Sequence, residues 1–102
     1  MNREDLVVRH VFVRGRVQGI GFRFWTEQRA LSHGIEGWAR NRRDGSVEAV
    51  LSGPAGSVAA MLEDLRRGPA LARVDRLEER ASDARELTAR RARERFSLLP
   101  TV

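Results

Sequence analysis

The chain has 102 residues, of which 41% are apolar and 32% are charged, a balance that predicts a single globular domain over residues 1–102. No apolar run approaches the roughly 20 residues that cross a bilayer, and the first residues lack the apolar core of a secretory signal, so we expect a cytoplasmic protein that does not contact a membrane. Cysteine is absent and the two histidines lie far apart, which argues against a metal site. The net charge of +5 comes from arginine without any lysine; it attracts anions but does not distinguish a small substrate from nucleic acid.

The chain is expected to be flexible over residues 1–6 and to form its first strand at residues 7–14, which are rich in β-branched and aromatic side chains. A glycine-rich loop follows from Gly15. Residues 22–32 contain neither glycine nor proline and predict a helix that ends at His33-Gly34. The first strand therefore leads through a glycine-rich loop into the start of a helix.

Two short strands are predicted next, at residues 35–41 and 46–52, and Asp44-Gly45 favours a hairpin turn between them. After Gly53-Pro54, apolar residues recur at the spacing of an amphipathic helix. The residues of this stripe are Val58, Met61, Leu62 and Leu65. The segment therefore predicts the second helix.

The last third of the chain begins with a predicted fourth strand at residues 73–79, in which Val74 and Leu77 share a face only if the strand contains a bulge. The arginine-rich stretch 81–95 is expected to be a solvated helical turn or a long loop, and residues 96–99 a short closing strand. This order of elements predicts an α+β fold of the ferredoxin-like βαββαβ type. It is an antiparallel sheet with two helices on one face, plus a short C-terminal strand.

The loop from Gly15 to Arg23 has the features of an anion site. It ends at a helix N-terminus, where backbone N–H groups lack helical partners and the macrodipole is positive. Glycines at positions 15, 19 and 21 permit positive φ values and let N–H groups approach a phosphoryl group closely. Arg23 opposes the dipole unless an anion is bound, and its guanidinium can hold two phosphate oxygens. Taken alone, such a loop is more often a flexible strand-to-helix connection with a surface arginine.

A second segment, Gly37-Trp38-Ala39-Arg40-Asn41, ends in an amide side chain just before the hairpin turn. Together with the run from Val13 to Arg23, it resembles the two signature motifs of the acylphosphatases, small enzymes that hydrolyse the mixed anhydride of a carboxylic acid and phosphate. The first motif departs from the usual pattern in Ile20, where valine is usual. The resemblance covers about residues 9–79 and implies that Arg23 is the catalytic arginine and that Asn41 orients the attacking water.

The resulting hypothesis is an acylphosphatase that uses direct water attack on a small-molecule acyl phosphate and releases inorganic phosphate. We expect a monomer without cofactor, metal or specific nucleic-acid partner. The residues expected to bind the phosphate are Gly15, Arg16, Val17, Gln18, Gly19, Ile20, Gly21 and Arg23.

Two alternatives remain open. The arginine-rich stretch could bind RNA, although ferredoxin-like RNA readers stack bases on aromatic residues of the two central strands, and residues 46–52 contain none. The chain could also be a relative that holds phosphate without turnover. Similar domains begin larger hydrogenase-maturation carbamoyltransferases, but a standalone enzyme is the simpler expectation. His10 and His33 are expected to be structural, and the aromatic residues, including Phe24, to serve in packing.

Overall fold

The computed structural model describes residues 5–102. The strands are β1 (Leu6–Arg16), β2 (Glu36–Asn41), β3 (Val47–Pro54), β4 (Arg73–Ala81) and β5 (Phe96–Leu98), the helices are α1 (Phe22–Ser32) and α2 (Ala55–Arg67), and a 3₁₀ helix spans Ala84–Ala89. Residues 1–6 were expected to be flexible, and residues 1–4 of this segment lie outside the described residues. Leu6 already pairs with Pro54 of β3, so the expectation is wrong for that residue.

The sheet has the strand order β4-β1-β3-β2-β5. Neighbouring strands among the first four are antiparallel, as predicted, whereas β5 runs parallel to β2 and makes the sheet mixed. Both helices pack on one face and enclose the main core. Its buried side chains include Val11, Val13, Phe22, Ile35, Leu51, Met61 and Leu65. The predicted ferredoxin-like fold is confirmed, and no helix of residues 5–102 is long and apolar enough to cross a membrane.

The opposite face of the sheet is partly covered by the arginine-rich stretch. Trp38 is only 2% exposed, its indole Nε1 donates a hydrogen bond of 2.7 Å to the Glu86 carbonyl, and Leu87 packs against the same small cluster. The expectation of a helical turn in residues 81–95 is confirmed by the 3₁₀ helix. The stretch is not entirely solvated, because Trp38 gives it an apolar surface to cover.

The pairing of β1 with β4 contains the predicted bulge. The register shifts between Arg14 and Gly15, and Asp75 on β4 has no residue opposite it. This extra residue reverses the alternation of the strand, so that Val74 and Leu77 both pack against the core.

Gly15 lies within β1, and the loop begins later than the sequence predicts. Its φ is +132°, and a Cβ atom at this position would lie 2.2 Å from the Arg73 carbonyl oxygen and 2.8 Å from the Asp75 nitrogen. Glycine is therefore required here by the close approach of two strands at the bulge.

The two helices are joined by Asp64, a carboxylate whose side chain is 8% exposed. It accepts hydrogen bonds from Arg29, from His33 at 2.7 Å and from Arg67 at 2.8 Å. Burial alone would raise the pKa of Asp64, but the hydrogen bonds from His33 and Arg29 outweigh it and hold the pKa below its ordinary value. His33 thus has a structural role, as expected.

Replacing Gly15 tests the requirement at the bulge. We expect Gly15→Ala to lower the free energy of unfolding by several kcal/mol, because a backbone clash adds to the roughly 1–2 kcal/mol that a left-handed conformation costs a residue with a Cβ. Gly34→Ala is the matched control, since Gly34 has φ +71° but open space around its Cβ position. Denaturant unfolding measures both. Equal destabilisation by the two substitutions would contradict the steric argument.

Replacing Asp64 tests its contribution to stability at different pH values. Because its folded-state pKa is lowered, its contribution is fully present above about pH 4, the ordinary value, and is lost as the pH falls through the folded-state pKa. We expect Asp64→Asn to cost about 1–3 kcal/mol at pH 7 and to flatten the acid limb of the stability profile. Asp75→Asn, at an exposed ion pair, should leave that limb unchanged. Superimposable acid limbs for wild type and Asp64→Asn would rule out the assignment.

Candidate active site

The loop between β1 and α1, residues 17–21, leaves its backbone donors unused. Gly19 and Gly21 both have φ +78°, and Gly21 caps α1 without a side-chain hydrogen bond or an acidic residue in the first turn. Within residues 5–102, no backbone N–H of this loop donates to another part of the chain. These groups, none of them proline, are available to an anion at the positive end of the helix.

Arg23 lies in the first turn of α1, beside this loop. Its Nη1 atom donates a hydrogen bond of 3.2 Å to the Leu99 carbonyl. Among the described residues it has no carboxylate partner, so its charge is uncompensated. A guanidinium has five N–H donors, and one carbonyl leaves the others free for a ligand.

Asn41 is the last residue of β2. Alternation along the strand puts it on the same side as Ala39, which is buried in the core beneath the helices. Its backbone carbonyl accepts a hydrogen bond of 3.1 Å from the Val102 nitrogen. No hydrogen bond of its side-chain amide is made within the described part of the chain, so this amide can bind a water molecule.

Gln18 connects the loop to the hairpin between β2 and β3. Its Nε2 atom donates hydrogen bonds to the Arg42 carbonyl at 2.7 Å and to the Ser46 carbonyl at 2.8 Å. Both amide hydrogens are thereby used. The side chain of Gln18 consequently holds two segments together and has no hydrogen left for phosphate, so only its backbone N–H remains a candidate ligand.

The hairpin itself is ordered by Asp44. One carboxylate oxygen accepts hydrogen bonds from the Ser46 hydroxyl at 2.6 Å and from the Ser46 nitrogen at 2.9 Å, while Arg14 donates to the other. The bonds from Ser46, followed by that from Arg14, lower the pKa of Asp44 to about 2. Asp44 is therefore an anion that fixes the turn and a poor base at neutral pH.

Glu48 anchors the same hairpin from the helix-free face of the sheet. This buried carboxylate accepts hydrogen bonds from His10 at 2.6 Å, Arg40 at 2.7 Å and Arg42 at 3.1 Å. Burial raises the pKa of Glu48, but the bonds from Arg40 and His10 outweigh it and the net shift is downward. His10 is thus structural, as expected, and Arg42 is tied to the sheet.

A pocket of about 250 Å³ brings most of the predicted site residues together. Its walls are Val17, Gln18, Gly19, Gly21, Phe22, Arg23, Phe24, Asn41 and Leu98. Three predicted phosphate-binding residues do not line it: Gly15 and Arg16 belong to β1, and Ile20 packs against the core.

Three wall residues, Phe22, Phe24 and Leu98, were not among the expected site residues. Phe24 is 61% exposed, so its predicted packing role is wrong. The signal was available in the sequence, because Phe24 does not share the helix face formed by Phe22, Thr26 and Ala30, which the structure buries.

Comparison with known proteins places the chain in a family. The family model described as Acylphosphatase matches residues 9–96, and an acylphosphatase of Nitrobacter hamburgensis is 54% identical over 98 residues, which are 96% of this chain and 99% of the relative. The chain belongs to the acylphosphatase family. The resemblance inferred from the two motifs is confirmed, and so is the expected enzyme class, a hydrolase acting on acyl phosphates.

Solved acylphosphatase structures share the fold. The crystal structure of acylphosphatase from Bacillus subtilis superposes with a TM-score of 0.79 at 29% identity and covers 93% of this chain and 99% of that one. The structure of an acylphosphatase from Coxiella burnetii gives a TM-score of 0.81 at 27% identity, covering 97% and 100%. The fold is therefore shared over nearly the whole length of both proteins.

Replacing Gln18 tests its role in holding the loop to the hairpin. We expect Gln18→Ala to lower the free energy of unfolding by about 1 kcal/mol and to weaken the binding of inorganic phosphate, because the loop donors lose their fixed position. Calorimetric titration with phosphate and denaturant unfolding measure the two effects. Gln28→Ala, on the exposed side of α1, is the control. Unchanged phosphate affinity in Gln18→Ala would mean that the loop holds its shape alone.

Proposed function

We propose that this protein hydrolyses acyl phosphates to a carboxylate and inorganic phosphate by direct attack of water. The phosphoryl group binds to the backbone N–H groups of residues 17–21 and to Arg23, and Asn41 orients the water. The observation that carries the proposal is one pocket lined by an uncapped helix start, a guanidinium without a carboxylate partner and a side-chain amide without a hydrogen bond, both judged over residues 5–102. Gly15 and Arg16, which the sequence analysis included among the phosphate-binding residues, are left out of this proposed site.

The bond to be broken makes few demands on the protein. An acyl phosphate releases a carboxylate, whose ordinary pKa near 4 makes it a stable anion at neutral pH, so no general acid is needed. Phosphoryl transfer depends mainly on positioning and on stabilising charge at the equatorial oxygens. Backbone donors and a guanidinium supply that stabilisation because they are already oriented before the reaction begins.

Water is the nucleophile in this scheme. Its oxygen bonds to phosphorus as the bond from phosphorus to the acyl oxygen breaks, so that an acyl phosphate dianion and water yield a carboxylate and dihydrogen phosphate. The Asn41 amide offers a donor and an acceptor to hold the water in line but cannot remove a proton at pH 7. The pocket walls carry no carboxylate or imidazole within residues 5–102. The proton therefore passes to an oxygen of the substrate's own phosphoryl group.

Within residues 5–102, the aromatic side chains on the helix-free face of the sheet are not free to stack on RNA bases. Trp38 is buried beneath the 3₁₀ helix, and the ring of Phe12 is covered by the guanidinium groups of Arg42 at 5.6 Å and Arg80 at 5.8 Å. Sequence-specific RNA readers need unobstructed aromatic faces on this surface. These contacts favour the hydrolase over the RNA-binding alternative.

Hydrolysis of benzoyl phosphate with EDTA present tests the proposal. We expect Arg23→Ala to lose both phosphate affinity and turnover, with kcat reduced about 10²–10³-fold, the usual cost of removing a donor that stabilises transition-state charge. Asn41→Ala should retain phosphate affinity and lose kcat by a similar factor. Phosphate affinity is measured as product inhibition.

Conservative and distant substitutions control this experiment. Arg23→Lys retains the charge but not the planar pair of donors, so it should recover only part of the activity, and Arg95→Ala, an exposed arginine, should behave as wild type. Wild-type turnover in Asn41→Ala would remove Asn41 from the mechanism. Phosphate binding by wild type without any hydrolysis would instead indicate a relative that holds phosphate without turnover.

A further inference from the structure

The pocket has both polar and apolar walls. Loop donors, Arg23 and Asn41 are polar, while Phe24 and Leu98 join Val17 and Phe22 as apolar walls. Its volume of about 250 Å³ corresponds to roughly eight water molecules at about 30 Å³ each. That space exceeds what the four heavy atoms of a phosphoryl group need, so part of the pocket is available to the acyl group.

Phe24 is exposed in a way that the other phenylalanines of α1 and β5 are not. It is 61% exposed, against 1% for Phe22 and 3% for Phe96. No ring contact joins it to another aromatic residue within residues 5–102, whereas Phe22 packs against Trp25. A single exposed apolar residue needs no explanation by itself. Here the exposed residue lines the same pocket as Arg23 and Asn41.

The helix places charge and ring together. Arg23 and Phe24 are consecutive in the first turn of α1 and point about 100° apart, while the preceding residue, Phe22, is buried in the core. The acyl carbon of a bound substrate is joined to phosphorus through a single oxygen. When a phosphoryl group is bound at Arg23, the attached acyl group therefore extends away from the loop and comes within reach of Phe24, the next residue of the helix.

We propose that Phe24, assisted by Leu98, forms a subsite for the acyl group and makes the enzyme selective for acyl phosphates with apolar, above all aromatic, acyl groups. This inference rests on the proposed hydrolase function and specifies its substrate class. A phenyl ring in the acyl group stacks on or packs edge-to-face with Phe24 and shields it from water. An acetyl group is too small to gain from this contact.

The test compares benzoyl phosphate with acetyl phosphate in wild type, Phe24→Ala and Phe24→Leu. Wild type should have the higher kcat/KM for benzoyl phosphate. Phe24→Ala should lower kcat/KM for benzoyl phosphate about tenfold, the usual effect of an apolar specificity contact, and change that for acetyl phosphate less than twofold. The loss should appear in KM, because the ring contacts the acyl group equally in the ground and transition states. Phe24→Leu should fall between the two.

Further measurements separate this inference from the proposed function. Inhibition by inorganic phosphate should be unchanged in Phe24→Ala, since the ring does not contact the phosphoryl group, and Leu31→Ala, an exposed residue of the same helix outside the pocket, should leave both substrates unaffected. If wild type hydrolyses both substrates and Phe24→Ala lowers both equally or neither, the acyl subsite is wrong and the hydrolase function stands. If wild type hydrolyses neither substrate, the proposed function fails and the subsite with it.

Discussion

The two hydrogen bonds of the Gln18 amide hold the loop that follows β1 to the hairpin between β2 and β3. The loop follows β1 and Asn41 ends β2, but β3 lies between these strands in the sheet, so their axes are about 10 Å apart at the usual spacing of strands. Gln18 spans this gap by binding the Arg42 carbonyl after β2 and the Ser46 carbonyl before β3, 24 and 28 residues away in sequence. The loop proposed to bind phosphate is thereby tied to the hairpin that follows Asn41, the residue proposed to orient the water.

The carboxylates of the domain explain why a strongly basic chain presents one uncompensated cation at its pocket. Glu48 accepts hydrogen bonds from Arg40 and Arg42, and Asp64 accepts them from Arg29 and Arg67, so these arginines are committed to holding the hairpin and the helices. Arg23 is bound only to a neutral carbonyl among the described residues. The net charge of +5 therefore says less about ligands than the distribution of ion pairs does.

Local patterns predicted most of the fold, and contacts between distant residues account for what they missed. The stripe of α2, the Asp44-Gly45 turn and the bulge needed by Val74 are each visible within a few residues of sequence. The position of Gly15 inside β1 was not visible in this way, because it is the Arg73 carbonyl on another strand that leaves no room for a Cβ atom. The commitment of the Gln18 amide depends in the same way on carbonyls of the hairpin, whereas the exposure of Phe24 could have been inferred from its place off the buried face of α1.

Residues 99–102, where the motifs gave no guidance, contact both residues proposed for catalysis. The Leu99 N–H donates a hydrogen bond to the Ala39 carbonyl, and the Leu99 carbonyl accepts one from Arg23. The Val102 N–H donates to the Asn41 carbonyl, and the Val102 carbonyl accepts from the Arg43 N–H. The segment thus continues the pairing along β2 and orients the guanidinium with one carbonyl. Since four guanidinium donors remain, this contact leaves Arg23 with donors for the phosphoryl group that is proposed to bind there.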